Sequence, residues 1–210
     1  LRTSSMFGQD AITIRGDEVR LCRYALRRPQ LRFALRSAHV IAVSESLRGV
    51  AAALRVDPLR VRVIPNGVDS SLFHPRDRGL ARERLGLPRH RVILLGVGSM
   101  IERKGHHRVI EILPEIVSRH PDVLYVALGE DVRGESYRRT IESLVRDRRM
   151  DDHVRFVPAC SHAEMPWWMA AADLFCLATR SEGCCNAILE AQACGLPVIT
   201  TRVGGNAEFV

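Results

Sequence analysis

The sequence predicts an α/β fold in which helices cover both faces of parallel sheet, and three observations predict it. From Arg91 onward, short apolar runs alternate with stretches of helical periodicity. The runs (VILLGVG, DVLYVALG, DLFCLA) stay apolar at successive positions, as strands do when both faces of a sheet are buried. A shorter series of the same kind precedes them within residues 1–64.

Ala11–Arg15 (AITIR) and His39–Val43 (HVIAV) read as β-branched strands. Between them Asp17–Ser37 has a helical pattern that Pro29 interrupts. Ser44 is placed to cap a helix in SESLRGVAAAL, where Leu47, Val50 and Leu54 share one face. Val61–Ile64 is a strand ended by the turn Pro65-Asn66-Gly67. Residues 69–90, rich in Pro, Gly and charge with one short helix, read as a linker. Beyond it, strands at 92–98, 122–129, 153–158, 173–178 and 196–200 alternate with helices near 106–119, 134–148, in SHAEMPWWMAAA and at 186–194. This is a doubly wound domain. Leu1 stands first without an initiator methionine and GGNAEFV ends without a closing element, so truncation at both ends is expected.

Apolar residues at 46% and charged residues at 26% are ordinary for a globular chain. No apolar run approaches the ~20 residues that cross a bilayer as a helix. The net charge of +7 is uneven: residues 1–64 hold 12 Arg and 5 acids, so the excess lies there. Their aromatics, Phe7, Tyr24 and Phe33, make no stacking platform, and no nucleic-acid partner is expected. A basic face toward anionic lipid or phosphate, and a plainly solvated helix face, both stay open. The six cysteines form no C-x-x-C pair and the histidines show no zinc-like spacing beside them. Free thiols in a reducing cytoplasm and no bound metal are expected. Of 31 basic residues, Lys104 alone is lysine.

Ligands of doubly wound sheets bind at the carboxyl ends of the strands. The loops expected there are 98–105, 129–131, 158–161, 179–186 and 202–206. In GVGSMIERKG (96–105), glycines let backbone N–H groups approach an anion, and Lys104 would present a point charge at the helix start. The spacing is neither G-x-G-x-x-G nor a P-loop, so an ordinary strand-to-helix turn with a surface lysine remains the alternative. Glu182 lies at the positive end of the helix 186–194. Glu190, at i+4 from Asn186, is placed to grip the hydroxyls of a ribose. For Glu190 alone a solvated helix residue, and for Glu182 alone a helix-end charge partner, is the favoured reading; for the pair together with Lys104 it is not.

SEGCCNAILEAQACGLPVITTRVGG resembles the signature of the retaining family 4 glycosyltransferases, also called glycosyl transferases group 1. VIPNGVDSSLFHP (63–75) resembles their interdomain segment, GSMIERKGHH their phosphate loop, and AHVIAVSESL (38–47) the last strand and helix of their N-terminal domain. The resemblance implies the GT-B fold. Residues 1–68 would be the end of an N-terminal, Rossmann-like acceptor-side domain, 69–90 the interdomain linker and 91–210 most of a C-terminal nucleotide-sugar-binding domain. It also implies roles. Lys104 would neutralise the donor diphosphate, Glu190 would hold the ribose and Glu182 would orient the transferred sugar. Gly183, Cys184, Cys185 and Asn186 would lie beside sugar and phosphate, and Val157 near the base. Ser99 stands where many members have a phosphate-binding arginine; either Arg103 compensates or one phosphate contact is weaker. Arg15 stands where many have a histidine, so no role is assigned to it.

The expected function is retaining transfer of a hexose from a nucleoside diphosphate sugar to a sugar or lipid-linked hydroxyl acceptor, in synthesis of cell-surface polysaccharide or glycolipid. No cofactor is expected, and the place expected is cytoplasmic or peripheral at the membrane's inner face. The rivals are another GT-B activity, such as a phosphorylase or sugar-nucleotide epimerase, and a non-catalytic module for anionic lipid or nucleic acid. If the basic third meets the membrane, neutralising Arg27, Arg28 and Arg32 together should release the protein from anionic liposomes while donor binding persists. Co-sedimentation and donor titration on the same variant check this; donor affinity falling in step would contradict it.

Overall fold

A computed structural model describes residues 11–13, 39–132 and 136–210. Arg15, Cys22, the arginines between 20 and 36 and the pattern around Pro29 lie outside the described residues. The chain divides into two compact units: 1–67 with 181–185 and 202–209, and 68–180 with 186–201 and Val210.

The first unit carries a parallel three-stranded sheet in the order β1 (Ala11–Thr13), β2 (His39–Ala42), β3 (Val61–Val63). Helix α1 (Glu45–Ala53) follows β2 and starts as expected, with Ser44 Oγ accepting the Leu47 N–H at 3.3 Å. Its Ala51 packs with Val40, Leu54 and Val56 in a small core. Its first turn has a second cap from far along the chain. The Glu208 carboxylate accepts the N–H groups of Glu45 and Ser46 at 2.8 and 2.9 Å. Two otherwise orphaned donors are satisfied, and a negative charge sits at the helix's positive end.

The second unit is the doubly wound domain. Its sheet runs β6-β5-β4-β7-β8, all parallel, from β4 (Val92–Val97), β5 (Val123–Leu128), β6 (Val154–Val157), β7 (Leu174–Leu177) and β8 (Val198–Thr200). The order reverses at β4, so the loops after β4 and β7 flank a topological switch point. Every residue of β5 is buried. Helices α3 (His106–Arg119) and α4 (Tyr137–Asp147) bury Val109, Ile110, Leu113, Ile141 and Val145 against Leu94, Tyr125 and Ala127. Ile93, Leu95 and Phe175 are also buried, and α5 (Met165–Ala171) contributes Trp168 and Met169. Helix α6 (Asn186–Ala193) follows β7.

The segment read as linker, 69–90, clusters with this second unit from Val68 onward. The reason is one arginine. Helix α2 (Arg78–Arg84), capped by Asp77, buries Arg82 to 6% exposure. Arg82 donates to Ala171 O at 2.9 Å, Arg89 O at 2.7 Å and the Asp173 carboxylate at 2.6 Å. Asp173 also accepts the Ile93 N–H at 2.7 Å and a bond from Arg78. Trp167 of α5 lies between the Arg76 and Arg84 guanidinium groups, 4.6 and 4.8 Å from its ring centre. Composition marks the stretch as rich in Pro, Gly and charge; a buried guanidinium with three acceptors ties it to this unit.

Truncating Arg82 takes one of its donors from the Asp173 carboxylate and removes the guanidinium from the Ala171 and Arg89 carbonyls. Arg82→Ala should cost about 3–5 kcal/mol of stability, as for breaking other buried ion pairs. Arg78→Ala, with a side chain 59% exposed, should cost under about 1 kcal/mol. Urea unfolding of the two variants checks this, and equal losses would contradict the assignment.

Candidate functional site

The loops at the carboxyl ends of β4, β5 and β6 open onto a cleft of about 360 Å³. Gly98, Ser99, Gly129, Glu130, Asp131 and Cys160 are among its lining residues. The depression thus lies at the carboxyl ends of the strands, on the β5 and β6 side of the switch point.

The loop after β4 owes its path to glycines. Gly98 (φ +151°) and Gly129 (φ +155°) face each other so closely that a Cβ on Gly129 would collide with the Gly98 carbonyl oxygen. Gly105, left-handed at φ +78°, ends a short 3₁₀ turn and begins α3. A Cβ there would strike the Ala178 carbonyl. Hydrogen bonds fasten the same edge: the Arg103 carbonyl accepts from Thr179 Oγ1 at 2.9 Å and from the Arg180 N–H at 2.8 Å. Met100 N–H donates to Glu130 O at 2.8 Å on the β5 side. The loop is therefore held to the ends of both β5 and β7, and the amino end of α3 opens beside it.

Lys104 lies across this loop. A Cβ on Gly98 would sit 3.1 Å from Lys104 Cδ and 3.3 Å from Cε, so the lysine stem runs over the bare α-carbon of Gly98. Ser99 and Lys104 thereby share one short loop, with Arg103 beside them. His106 is the first residue of α3 and is 2% exposed. Its Nδ1 is 2.7 Å from Tyr125 Oη and its Nε2 is 3.3 Å from the Gly98 carbonyl. Burial holds the imidazole pKa down to about 4, opposed by the Gly98 carbonyl and helped by the charges of Lys104 and His107. Burial also keeps the Tyr125 hydroxyl protonated, with Cys176 adding to the effect.

Glu190, on α6, is 14% exposed and its Oε1 is 3.4 Å from His162 Nε2. His162 is itself 66% exposed and stacks edge-on with Phe73, ring centres 4.9 Å apart. The sequence reading missed His162. The signal was there: it follows the β6 end, one residue past the stretch 158–161 singled out above. Asn186 begins α6. Val157 is buried, its carbonyl accepting the Gly129 N–H at 2.9 Å, while Cys160 of the same strand end lines the cleft.

Glu182, Gly183, Cys184 and Cys185 belong to the first unit. There a Cβ on Gly204 (φ +52°) would collide with the Glu182 carbonyl, and one on Gly205 with the Gly183 carbonyl. The Gly204-Gly205 pair thus lets the two segments touch backbone to backbone. Cys185 is buried, and burial raises the Cys184 thiol pKa. Among the described residues, no group of three His, Cys, Asp or Glu side chains is placed to hold a metal ion, and no helix is long and apolar enough to cross a membrane.

Two parallel α/β units with a glycine-lined loop beside a switch point place the chain in the GT-B fold class. The solved structures agree. Over 93% of this chain and 50% of its own, sucrose-phosphate synthase from Thermosynechococcus elongatus superposes with a TM-score of 0.81 at 28% identity. Anabaena HepE superposes with a TM-score of 0.83 at 24% identity over 95% of this chain and 54% of its own, which speaks to the fold. Residues 77–210 match the family model of glycosyl transferases group 1, and 12–72 match glycosyltransferase family 4. The chain belongs to the glycosyl transferases group 1. A D-inositol 3-phosphate glycosyltransferase of Catenulispora acidiphila is 35% identical over 73% of this chain and 37% of its own length. A component of the human phosphatidylinositol N-acetylglucosaminyltransferase is 32% identical over 82% of this chain and 33% of its own. The chain spans about a third to a half of the relatives it matches.

His106 generates a pH prediction. Above pH 6.5 the imidazole is neutral in both folded and unfolded chains. Between 6.5 and about 4 only the unfolded chain takes up the proton, because the folded pKa is depressed. Stability should therefore fall as pH drops through that window, by roughly 3 kcal/mol in all. Urea unfolding at pH 7 and 4.5 should show this loss, and His106→Gln should lack that component.

Proposed function

We propose that the protein carrying this chain is a retaining glycosyltransferase that moves a hexose from a nucleoside diphosphate sugar to a hydroxyl acceptor, in synthesis of cell-surface polysaccharide or glycolipid. The observation that carries the reading is the lone lysine laid over Gly98 at the amino end of α3, in a chain of this family. Two relatives named for inositol-bearing acceptors support a hydroxyl acceptor and, in one case, a lipid-linked one.

In this reading the departing diphosphate is the charge to be stabilised. The Lys104 ammonium, the first amides of α3 and Arg103 supply fixed positive potential where negative charge develops. Ser99 adds a hydroxyl in place of an arginine. Glu190 takes the ribose hydroxyls, with His162 giving way from its long 3.4 Å contact. Glu182 orients hydroxyls of the transferred sugar, beside Gly183, Cys184, Cys185 and Asn186, and Val157 stands toward the base. No cofactor is assigned, because the chemistry asked of the protein is positioning and charge compensation. A cytoplasmic enzyme meeting the inner membrane face through its basic first third fits a lipid-linked acceptor.

Lys104→Ala and Glu190→Ala separate the two halves of the donor. In the full-length protein, Lys104→Ala should spare binding of the free nucleoside and weaken the nucleoside diphosphate by roughly 1.5–3 kcal/mol, the worth of a charged hydrogen bond. Glu190→Ala should weaken both. Calorimetry with a panel of nucleosides and their diphosphates decides it: equal losses across both ligands in both variants, or none, would sink the assignment.

A further inference from the structure

We propose that His106 is a positioning residue for Lys104, acting through the carbonyl of Gly98. The inference rests on the donor reading above and adds a residue to it.

The hydrogen-bond arithmetic fixes the direction of the chain. A carbonyl only accepts, so the 3.3 Å contact to Gly98 O requires a proton on His106 Nε2. A neutral imidazole then leaves Nδ1 as acceptor, and the Tyr125 hydroxyl, 2.7 Å away, donates to it. The Gly98 carbonyl thus sets the tautomer of His106 in α3, and Tyr125 in β5 satisfies the other nitrogen as donor, so that His106 ties the loop carbonyl to β5. Two glycines make room for this. A Cβ on Gly96 would overlap the Tyr125 hydroxyl, and a Cβ on Gly129 would overlap the Gly98 oxygen.

What the chain holds is the platform under the lysine. Gly98 sits at φ +151°, where a side chain is disfavoured, and the Lys104 stem packs on its α-carbon. Lys104 is two residues before His106, with left-handed Gly105 between them. The backbone therefore leaves α3 at His106, turns back through Gly105, and lays Lys104 over the very residue that His106 grips. A tilt of the Gly98 peptide would move the floor beneath the ammonium. An apolar ring would fill the same space without needing a polar partner, whereas this ring spends one nitrogen on the loop carbonyl.

The test uses the full-length protein. His106→Phe keeps the ring and loses both bonds; His106→Gln keeps an N–H for Gly98. Tyr125→Phe removes only the hydroxyl, and Gly96→Ala displaces it without touching His106 or Lys104. Nucleoside and nucleoside diphosphate binding is measured for UDP, GDP and ADP, with melting temperatures alongside. His106→Phe should weaken the diphosphate about tenfold, the size of one lost hydrogen bond, and leave the nucleoside unchanged. His106→Gln should restore most of that, and Tyr125→Phe and Gly96→Ala should show part of it.

Combined with Lys104→Ala, His106→Phe should add little, because its effect runs through the lysine. The full tenfold loss on top of Lys104→Ala would overturn the proposal, as would a loss that tracks melting temperature and spares no ligand. A second readout needs no nucleotide. Acetylation of the Lys104 amine by an N-hydroxysuccinimide ester, followed by peptide mass spectrometry, should speed up in His106→Phe and return toward normal in His106→Gln. Unchanged labelling in His106→Phe would overturn the positioning role even if diphosphate binding fell. Faster labelling in a protein that binds none of the diphosphates would uphold the positioning role and remove the donor reading instead.

Discussion

The structure depends on bringing main chain against main chain without side chains between. At Gly105 and Ala178, at Gly129 and Gly98, and at Gly204 and Glu182, a hydrogen stands where a methyl group would overlap a carbonyl oxygen. These approaches occur where the strands end and the chain must turn toward ligand space. A Cβ at any of them would force the loops apart, and hydrogen bonds such as Thr179 Oγ1 to Arg103 O would go with it. Their φ values lie in the region that costs other residues energy, so shape and conformation select glycine together.

On that frame the polar groups do distinct work. Arg82 and Asp173 hold the helix α2 to the far side of the sheet, away from the cleft loops. Tyr125 and His106 reach through the core from β5 to the loop. Both cases obey one rule: a buried polar atom is tolerated because each lone pair or proton meets a partner. Arg82 meets its acceptors as a charge, and His106 meets its own as a neutral ring, since burial disfavours the imidazolium.

Much of this was legible in the residues. The apolar runs from Val92 to Thr200 became a parallel sheet because covered strands need no polar face, and Ser44 caps its helix because a hydroxyl before a helical run has that use. The glycines of GVGSMIERKG and the lone Lys104 marked the loop. Other features were hidden because they are properties of three dimensions. Nothing in KGHH says that the first histidine turns inward and the second stays half-exposed. Nothing in SHAEM says that His162 meets Glu190, since the two stand on different connections. Arg82 looked like one charge among many in a linker, and only the packing of α2 on α5 makes it a buried hub.

The Glu208 carboxylate that caps α1 lies 163 residues beyond Glu45. A ribosome adding about 5–20 residues per second needs on the order of ten to thirty seconds to cover that distance. Throughout that interval the first turn of α1 has Ser44 and no Glu208, and the segment 202–209 that belongs to its unit does not yet exist. The second unit's strands are all synthesised in between. The nascent chain therefore carries an incompletely capped helix while the strands of the doubly wound sheet are made behind it.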